Sequence, residues 1–98
     1  MSVKALVDRA ISSGTIVIFS KTYCPYCTKA KQFASTLGAP VEVIELDTRD
    51  DGSEIQSYLL DLTKQRTVPN VFVKGQHIGG CDDFTSSSGA SKVKALLA

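Results

Sequence analysis

Two cysteines lie three positions apart in Cys24-Pro25-Tyr26-Cys27, which follows the apolar run Ile16–Phe19 and opens a helical pattern. At this spacing in the first turn of a helix, both sulfur atoms lie on one face and are close enough to form a disulfide. The first turn also has unpaired backbone N–H groups and the positive end of the helix dipole, which stabilise a thiolate at Cys24. A thiolate of low pKa beside a second thiol predicts a redox centre.

The composition fits one soluble domain spanning residues 1–98, long enough to bury a core. Its net charge of +1 gives no indication of a nucleic-acid or anionic membrane partner. There is no apolar run of about 18 residues, and Met1–Lys4 lacks the apolar segment of a signal peptide. Three cysteines without secretory features indicate a reducing compartment. We therefore expect a cytoplasmic protein, while removal of a transit peptide stays open.

Helical and strand patterns alternate along the chain, and glycines stand at several of the boundaries. The first half of the chain predicts a helix from Val3 to Ile11 ended by Gly14, a strand Thr15–Ser20, a helix from Pro25 to Leu37 capped by Gly38, and a strand Val41–Leu46. The second half predicts a helix with Ser53 as N-cap and apolar positions from Ile55 to Leu62. A hairpin of Val71–Val73 and Gln76–Ile78 around Gly75 follows, and a last helix runs from Asp82 to the end.

This order predicts an α/β fold. The strand–helix–strand portion should form a right-handed parallel unit, and the hairpin should add two antiparallel strands. The result is a four-stranded mixed sheet flanked by helices, with the cysteine pair at the carboxyl end of the first strand, where such sheets place their sites. The serines between Phe84 and Ser91 weaken helix propensity, so we doubt that the last helix is continuous.

Three motifs, in this order and spacing, resemble the dithiol glutaredoxins, which have the thioredoxin fold: Cys24-Pro25-Tyr26-Cys27, Thr67-Val68-Pro69 and Gly79-Gly80-Cys81-Asp82-Asp83. The similarity extends over the whole chain. It implies a monomeric, glutathione-dependent thiol–disulfide oxidoreductase that acts on protein disulfides and protein–glutathione mixed disulfides and requires no metal. Cys24 is the expected nucleophile and Cys27 the resolving thiol. Lys21, three residues before Cys24, adds a positive charge that favours its thiolate.

The resemblance also implies a glutathione groove. Lys21 and Gln65 are expected to bind the glycine carboxylate, Tyr26 to line the groove, and the Val68 backbone to pair with the cysteinyl residue. At the γ-glutamyl end the expected contacts are the backbone N–H groups of Cys81 and Asp82 and the carboxylate of Asp82 or Asp83. Thr67, Pro69 and Gly80 complete the groove. Glycines before a helix start allow close approach of an anionic group. In this family the bond before the proline is cis, which predicts a cis Val68–Pro69 bond.

Several of these residues have simpler interpretations. Lys21 by itself is a solvated loop lysine, Gln65 is a polar residue at a helix end, and Asp82 is an N-cap. Cys81 is more simply a small packing residue near the groove than a regulatory thiol open to oxidation. The protein substrates stay open, as does the use of a glutathione analogue.

Three alternatives compete with the oxidoreductase. Cys24, Cys27, His77 and Cys81 formally supply four zinc ligands, although the Pro-Tyr link is unlike a Gly-rich zinc knuckle. An iron–sulfur carrier would share a [2Fe–2S] cluster between two protomers through Cys24 and glutathione, but Pro25 and Tyr26 crowd that pocket. Thioredoxin itself is disfavoured because the chain contains no tryptophan.

Overall fold

A computed structural model describes residues 2–98, so Met1 of the predicted domain lies outside the described residues. The elements are α1 (Val3–Ser13), β1 (Ile16–Ser20), α2 (Pro25–Ser35), β2 (Val41–Glu45), a 3-10 turn (Leu46–Thr48), α3 (Gly52–Thr63), β3 (Asn70–Val73), β4 (Gln76–Gly79), α4 (Cys81–Thr85) and α5 (Ser87–Leu97). Within these residues no helix combines the length and the apolarity that a bilayer crossing requires.

The four strands form one mixed sheet in the order β2-β1-β3-β4. β1 runs parallel to β2, from Ile16 beside Val41 to Ser20 beside Glu45, and antiparallel to β3. β3 and β4 form the antiparallel hairpin. The predicted α/β class, mixed sheet and flanking helices are therefore confirmed.

β1 is the centre of the molecule, and all five of its residues are buried. Because side chains alternate across a strand, Val17 and Phe19 enter one core layer and Ile16 and Ile18 the other. The first layer is covered by α1 and α3, and the second by α2, α4 and α5. β1 is thus held on both faces and by both neighbouring strands, and the loop that carries the cysteine pair begins at its carboxyl end.

Two predicted helix boundaries are wrong. α3 begins at Gly52 with Asp51 at the N-cap position, two residues earlier than a Ser53 cap would place it. A side chain at Gly52 would overlap the Leu46 carbonyl, so this glycine lets the helix start pack against the preceding turn. α2 ends at Ser35, and its last turn is closed by the Thr36 hydroxyl, which donates to Phe33 O at 2.7 Å. Gly38 lies beyond that helix.

The C-terminal helix is interrupted, as the serine-rich stretch indicated. Ser86 has an extended backbone (φ −63°, ψ 163°) that separates α4 from α5. Its hydroxyl accepts a hydrogen bond from Gly89 N at 3.2 Å and so caps α5. The bend buries Phe84 from α4 and Val93 from α5 in the same core layer. Two short helices therefore replace the single one, and the first of them begins at Cys81.

Gly89 of α5 lies directly against the backbone of α4. A Cβ there would overlap the backbone carbonyl of Asp83, so we expect Gly89→Ala to lower the free energy of unfolding by about 1–3 kcal/mol in urea denaturation. Ser88→Ala, an exposed change in the same helical turn, is the matched control and should have little effect. A Gly89→Ala protein as stable as the wild type would contradict this packing.

Candidate active site

The cysteine pair lies where β1 ends and α2 begins. Cys24 is the N-cap residue of α2, Pro25 occupies its first position, and Cys27 lies within its first turn. The Cys24 side chain is partly exposed and Cys27 is fully buried. Both are free thiols. The chain thus presents one accessible sulfur and keeps the second beneath it.

The surroundings of the two sulfur atoms shift their thiol pKa values in opposite directions. Partial burial raises the pKa of the Cys24 thiol, but the backbone N–H of Cys27, the Cys27 thiol, the backbone N–H of Tyr26 and the Lys21 charge together lower that pKa below the ordinary value. Burial raises the pKa of the Cys27 thiol. Cys24 is therefore the more acidic thiol of the reduced pair and Cys27 the less acidic one.

The loop before Cys24 is fixed by a contact that sequence analysis missed. Thr22 N donates to Asp47 Oδ1 at 3.0 Å, and the Thr22 hydroxyl donates to Asp47 Oδ2. These hydrogen bonds lower the pKa of Asp47, so the carboxylate stays ionised. Thr22 follows β1 and Asp47 follows β2, and the carboxyl ends of parallel neighbours meet at one sheet edge. That adjacency is the signal from which the pair could have been found.

A groove of about 350 Å³ opens beside the cysteine pair. Its lining consists of Tyr26, Thr67, Val68, Pro69, Gly80, Cys81, Asp82 and Asp83. All the predicted glutathione-binding residues except Lys21 and Gln65 therefore line one concave surface. The Val68–Pro69 bond is cis, as predicted. Cys24 Sγ lies 3.9 Å from Val68 O, which places this sulfur atom at the wall of the groove.

Gln65 and Lys21 are not among the residues that line this groove. Gln65 Nε2 donates to Thr67 O and to Pro69 O, each at 3.0 Å. Both amide hydrogens are thereby used within the chain, so Gln65 supports the groove wall, and its expected contact with a glycine carboxylate stays a prediction. Lys21 lies in the loop before Cys24, where its charge favours the thiolate.

The far wall of the groove is the start of α4. Gly80 is the N-cap residue, and its N–H donates to Asp83 Oδ2 at 3.2 Å. Asp83 therefore makes the capping contact that sequence analysis assigned to Asp82, because the helix begins at Cys81 and places Asp82 in its first turn. The Asp82 side chain is exposed at the groove, while Cys81 is only 6% exposed. The packing interpretation of Cys81 agrees with this burial.

The zinc alternative needs four ligands at one point. Within residues 2–98, no three His, Cys, Asp or Glu side chains are grouped closely enough to hold a metal ion. His77 is engaged elsewhere, with Nε2 at 2.8 Å from Asn70 Oδ1. The set of Cys24, Cys27, His77 and Cys81 is therefore not assembled.

Known proteins are similar to this chain in sequence and in fold. The glutaredoxin family model matches residues 16–78, well over half of the chain. The chain belongs to the glutaredoxin family. A glutaredoxin of Ricinus communis is 55% identical over 87 residues, covering 89% of this chain and 85% of its own. Glutaredoxin-C2 of Arabidopsis thaliana is 52% identical over 87 residues, covering 89% of this chain and 78% of its own.

Solved glutaredoxin structures superpose on almost the whole fold. The glutathione complex of buckwheat glutaredoxin has a TM-score of 0.90 at 44% identity and covers 97% of this chain and 86% of its own. The holo form of glutaredoxin C1 from Populus tremula x tremuloides has a TM-score of 0.88 at 42% identity, and it covers 97% of this chain and 94% of its own. This glutaredoxin is accordingly a thiol–disulfide oxidoreductase with a thioredoxin-like fold.

The pKa difference between the two thiols predicts their order of reaction. Iodoacetamide should alkylate Cys24 before Cys27, with a midpoint in the rate-versus-pH curve below that of an ordinary cysteine. Lys21→Gln should raise that midpoint because a favourable charge is lost. The measurement is peptide mapping by mass spectrometry after timed alkylation.

Lys29→Gln is the matched control, since Lys29 is an exposed lysine on α2. It should leave the midpoint unchanged. If Lys21→Gln and Lys29→Gln moved the midpoint equally, the Lys21 charge would have no specific effect on the thiolate.

Proposed function

We propose that this glutaredoxin uses glutathione to reduce protein–glutathione mixed disulfides and protein disulfides. The observation that carries the proposal is the Cys24 thiolate at the wall of a groove formed by Val68 and the start of α4. A glutathione complex of buckwheat glutaredoxin, which is 44% identical to this chain, supports glutathione as the ligand. The groove volume of about 350 Å³ suits a small peptide-like molecule.

Reduction of a mixed disulfide needs only Cys24. Its thiolate attacks the glutathione sulfur, a Cys24–glutathione disulfide forms, and the substrate's sulfur leaves as a thiolate that takes a proton from solvent. A second glutathione thiolate then attacks the bound glutathione sulfur. Oxidised glutathione departs, and the Cys24 thiolate is restored. The lowered pKa of Cys24 favours both steps because it increases the share of Cys24 that is thiolate and able to attack, and it makes Cys24 a better leaving group.

Reduction of a protein disulfide also needs Cys27. The Cys24 thiolate attacks one sulfur of the substrate disulfide, the disulfide bond breaks, and the other substrate sulfur leaves as a thiolate that takes a proton from solvent. Cys24 and the protein are then joined by a mixed disulfide. Cys27 then loses its proton and attacks Cys24 Sγ, which releases the second substrate thiol and leaves a Cys24–Cys27 disulfide. Two glutathione molecules return the pair to its thiol form and leave as oxidised glutathione. Burial of Cys27 keeps it protonated until that step.

Within the groove we assign the ligand by its chemistry. The Val68 backbone faces the cysteinyl residue as an added strand would, and the Asp82 carboxylate faces the γ-glutamyl ammonium group. Lys21 is the proposed partner of the glycine carboxylate. We also propose that the protein acts as a monomer in the cytoplasm, where its free thiols stay reduced. No observation favours the iron–sulfur carrier.

Single substitutions of the cysteines should separate the two routes. In an assay of a small glutathionyl mixed disulfide coupled to glutathione reductase, Cys24→Ser should lower turnover by more than about 100-fold, because the nucleophile is lost. Cys27→Ser should retain that activity but lose reduction of a protein disulfide. Cys81→Ser is the matched control and should retain both activities. Equal loss of mixed-disulfide reduction in Cys24→Ser and Cys27→Ser would refute the one-cysteine route.

A further inference from the structure

A chain of side-chain hydrogen bonds leads from the edge strand to the groove wall. His77 Nε2 on β4 lies 2.8 Å from Asn70 Oδ1 on β3, and Asn70 Nδ2 donates to Thr63 Oγ1 at 3.4 Å. Thr63 Oγ1 also accepts from Gln65 N at 3.1 Å. The Gln65 side chain then holds the carbonyls of Thr67 and Pro69. Four polar side chains thus connect the hairpin to the segment that carries Val68.

The directions of the hydrogen bonds in this network follow from a contact at the end of α3. The Thr63 hydroxyl donates to Leu59 O at 2.8 Å, so its oxygen is left to accept from Asn70 and Gln65. Asn70 is 1% exposed and needs a partner for both ends of its amide. Its Oδ1 therefore accepts from His77, whose Nε2 carries the hydrogen. Partial burial lowers the pKa of His77, which favours the neutral imidazole.

The segment that receives these contacts has no regular structure of its own. Residues 64–69 connect α3 to β3 without belonging to a helix or strand. Thr67, Val68 and Pro69 nevertheless line the groove. Gln65 therefore supplies side-chain hydrogen bonds to this wall, and its own backbone N–H is held by Thr63. Thr63, which holds Gln65, is not among the residues that line the groove.

We propose that Thr63 and Asn70 are positioning residues for the glutathione groove, acting through Gln65 on the backbone of Thr67 and Pro69, with His77 as the outer end of the network. This inference rests on the proposed function for its substrate. It adds a structural requirement at residues that do not line the groove. His77 and Thr63 instead line a separate cavity of about 520 Å³ between α1, α3 and the β3–β4 hairpin.

Thr63→Val tests the network because it keeps the shape of the side chain and removes the hydroxyl. We expect kcat/KM for a glutathionyl mixed disulfide to fall about three- to tenfold, with the rate of Cys24 alkylation by iodoacetamide unchanged. Backbone amide exchange at Val68 should become faster. Thr63→Ser keeps the hydroxyl and should restore most of the activity. Thr36→Val removes a comparable helix-end hydroxyl far along the sequence from the groove and serves as the matched control.

His77 allows a second test without a buried substitution, because it is exposed. His77→Leu removes the donor to Asn70, whereas His77→Gln retains an N–H donor at a similar reach. The leucine variant should show the lower kcat/KM and the faster Val68 exchange, and the glutamine variant should resemble the wild type.

Two results would overturn the inference. One is a Thr63→Val protein with wild-type kcat/KM and wild-type Val68 exchange, and the other is equal loss in Thr63→Val and Thr36→Val. A wild-type protein that fails to turn over the mixed disulfide would refute the proposed function instead. Val68 exchange in Thr63→Val and Thr63→Ser would then still decide whether the network holds the segment.

Discussion

The constraint on which the rest of the structure depends is the stabilisation of one thiolate at the start of α2. Cys24 must be exposed to attack a disulfide, yet its charge must be favoured by fixed dipoles. Its position at the helix N-terminus, with the N–H groups of Tyr26 and Cys27 nearby, meets both requirements. This arrangement needs a rigid strand directly before the helix, and the fully buried β1 provides it.

The difference between the two thiols follows from one helical turn. Cys27 lies three positions after Cys24, which is enough to carry the second sulfur from the surface to a fully buried position. Burial then disfavours a second thiolate beside the first. A pair of equally exposed cysteines would share one environment and would have no fixed order of reaction. The asymmetry therefore comes from the backbone, with little need for neighbouring charged side chains.

The parts of the fold that could be predicted from the sequence are those set by local patterns. The continuous apolar run of β1, the helical spacing after Pro25 and the glycine-centred hairpin each depend on residues within one segment, and the sheet followed from their order. The predicted boundaries at Ser53 and Gly38 were wrong because both depend on packing between segments: Gly52 fits against Leu46, and Thr36 closes its helix before Gly38 is reached. Cap preferences alone do not contain that information.

The candidate site shows the same division between local and distant contacts. The cysteine pair and the groove-lining residues stood in recognisable motifs, so their positions could be expected. Thr22–Asp47 and Asn70–Thr63 join residues of different elements and are set by how the sheet brings strand ends together. Segments without regular structure lack a backbone ladder, so buried side chains must satisfy their polar groups instead. The reactive sulfur is thus positioned by secondary structure, whereas the groove that presents its substrate is positioned by side-chain hydrogen bonds.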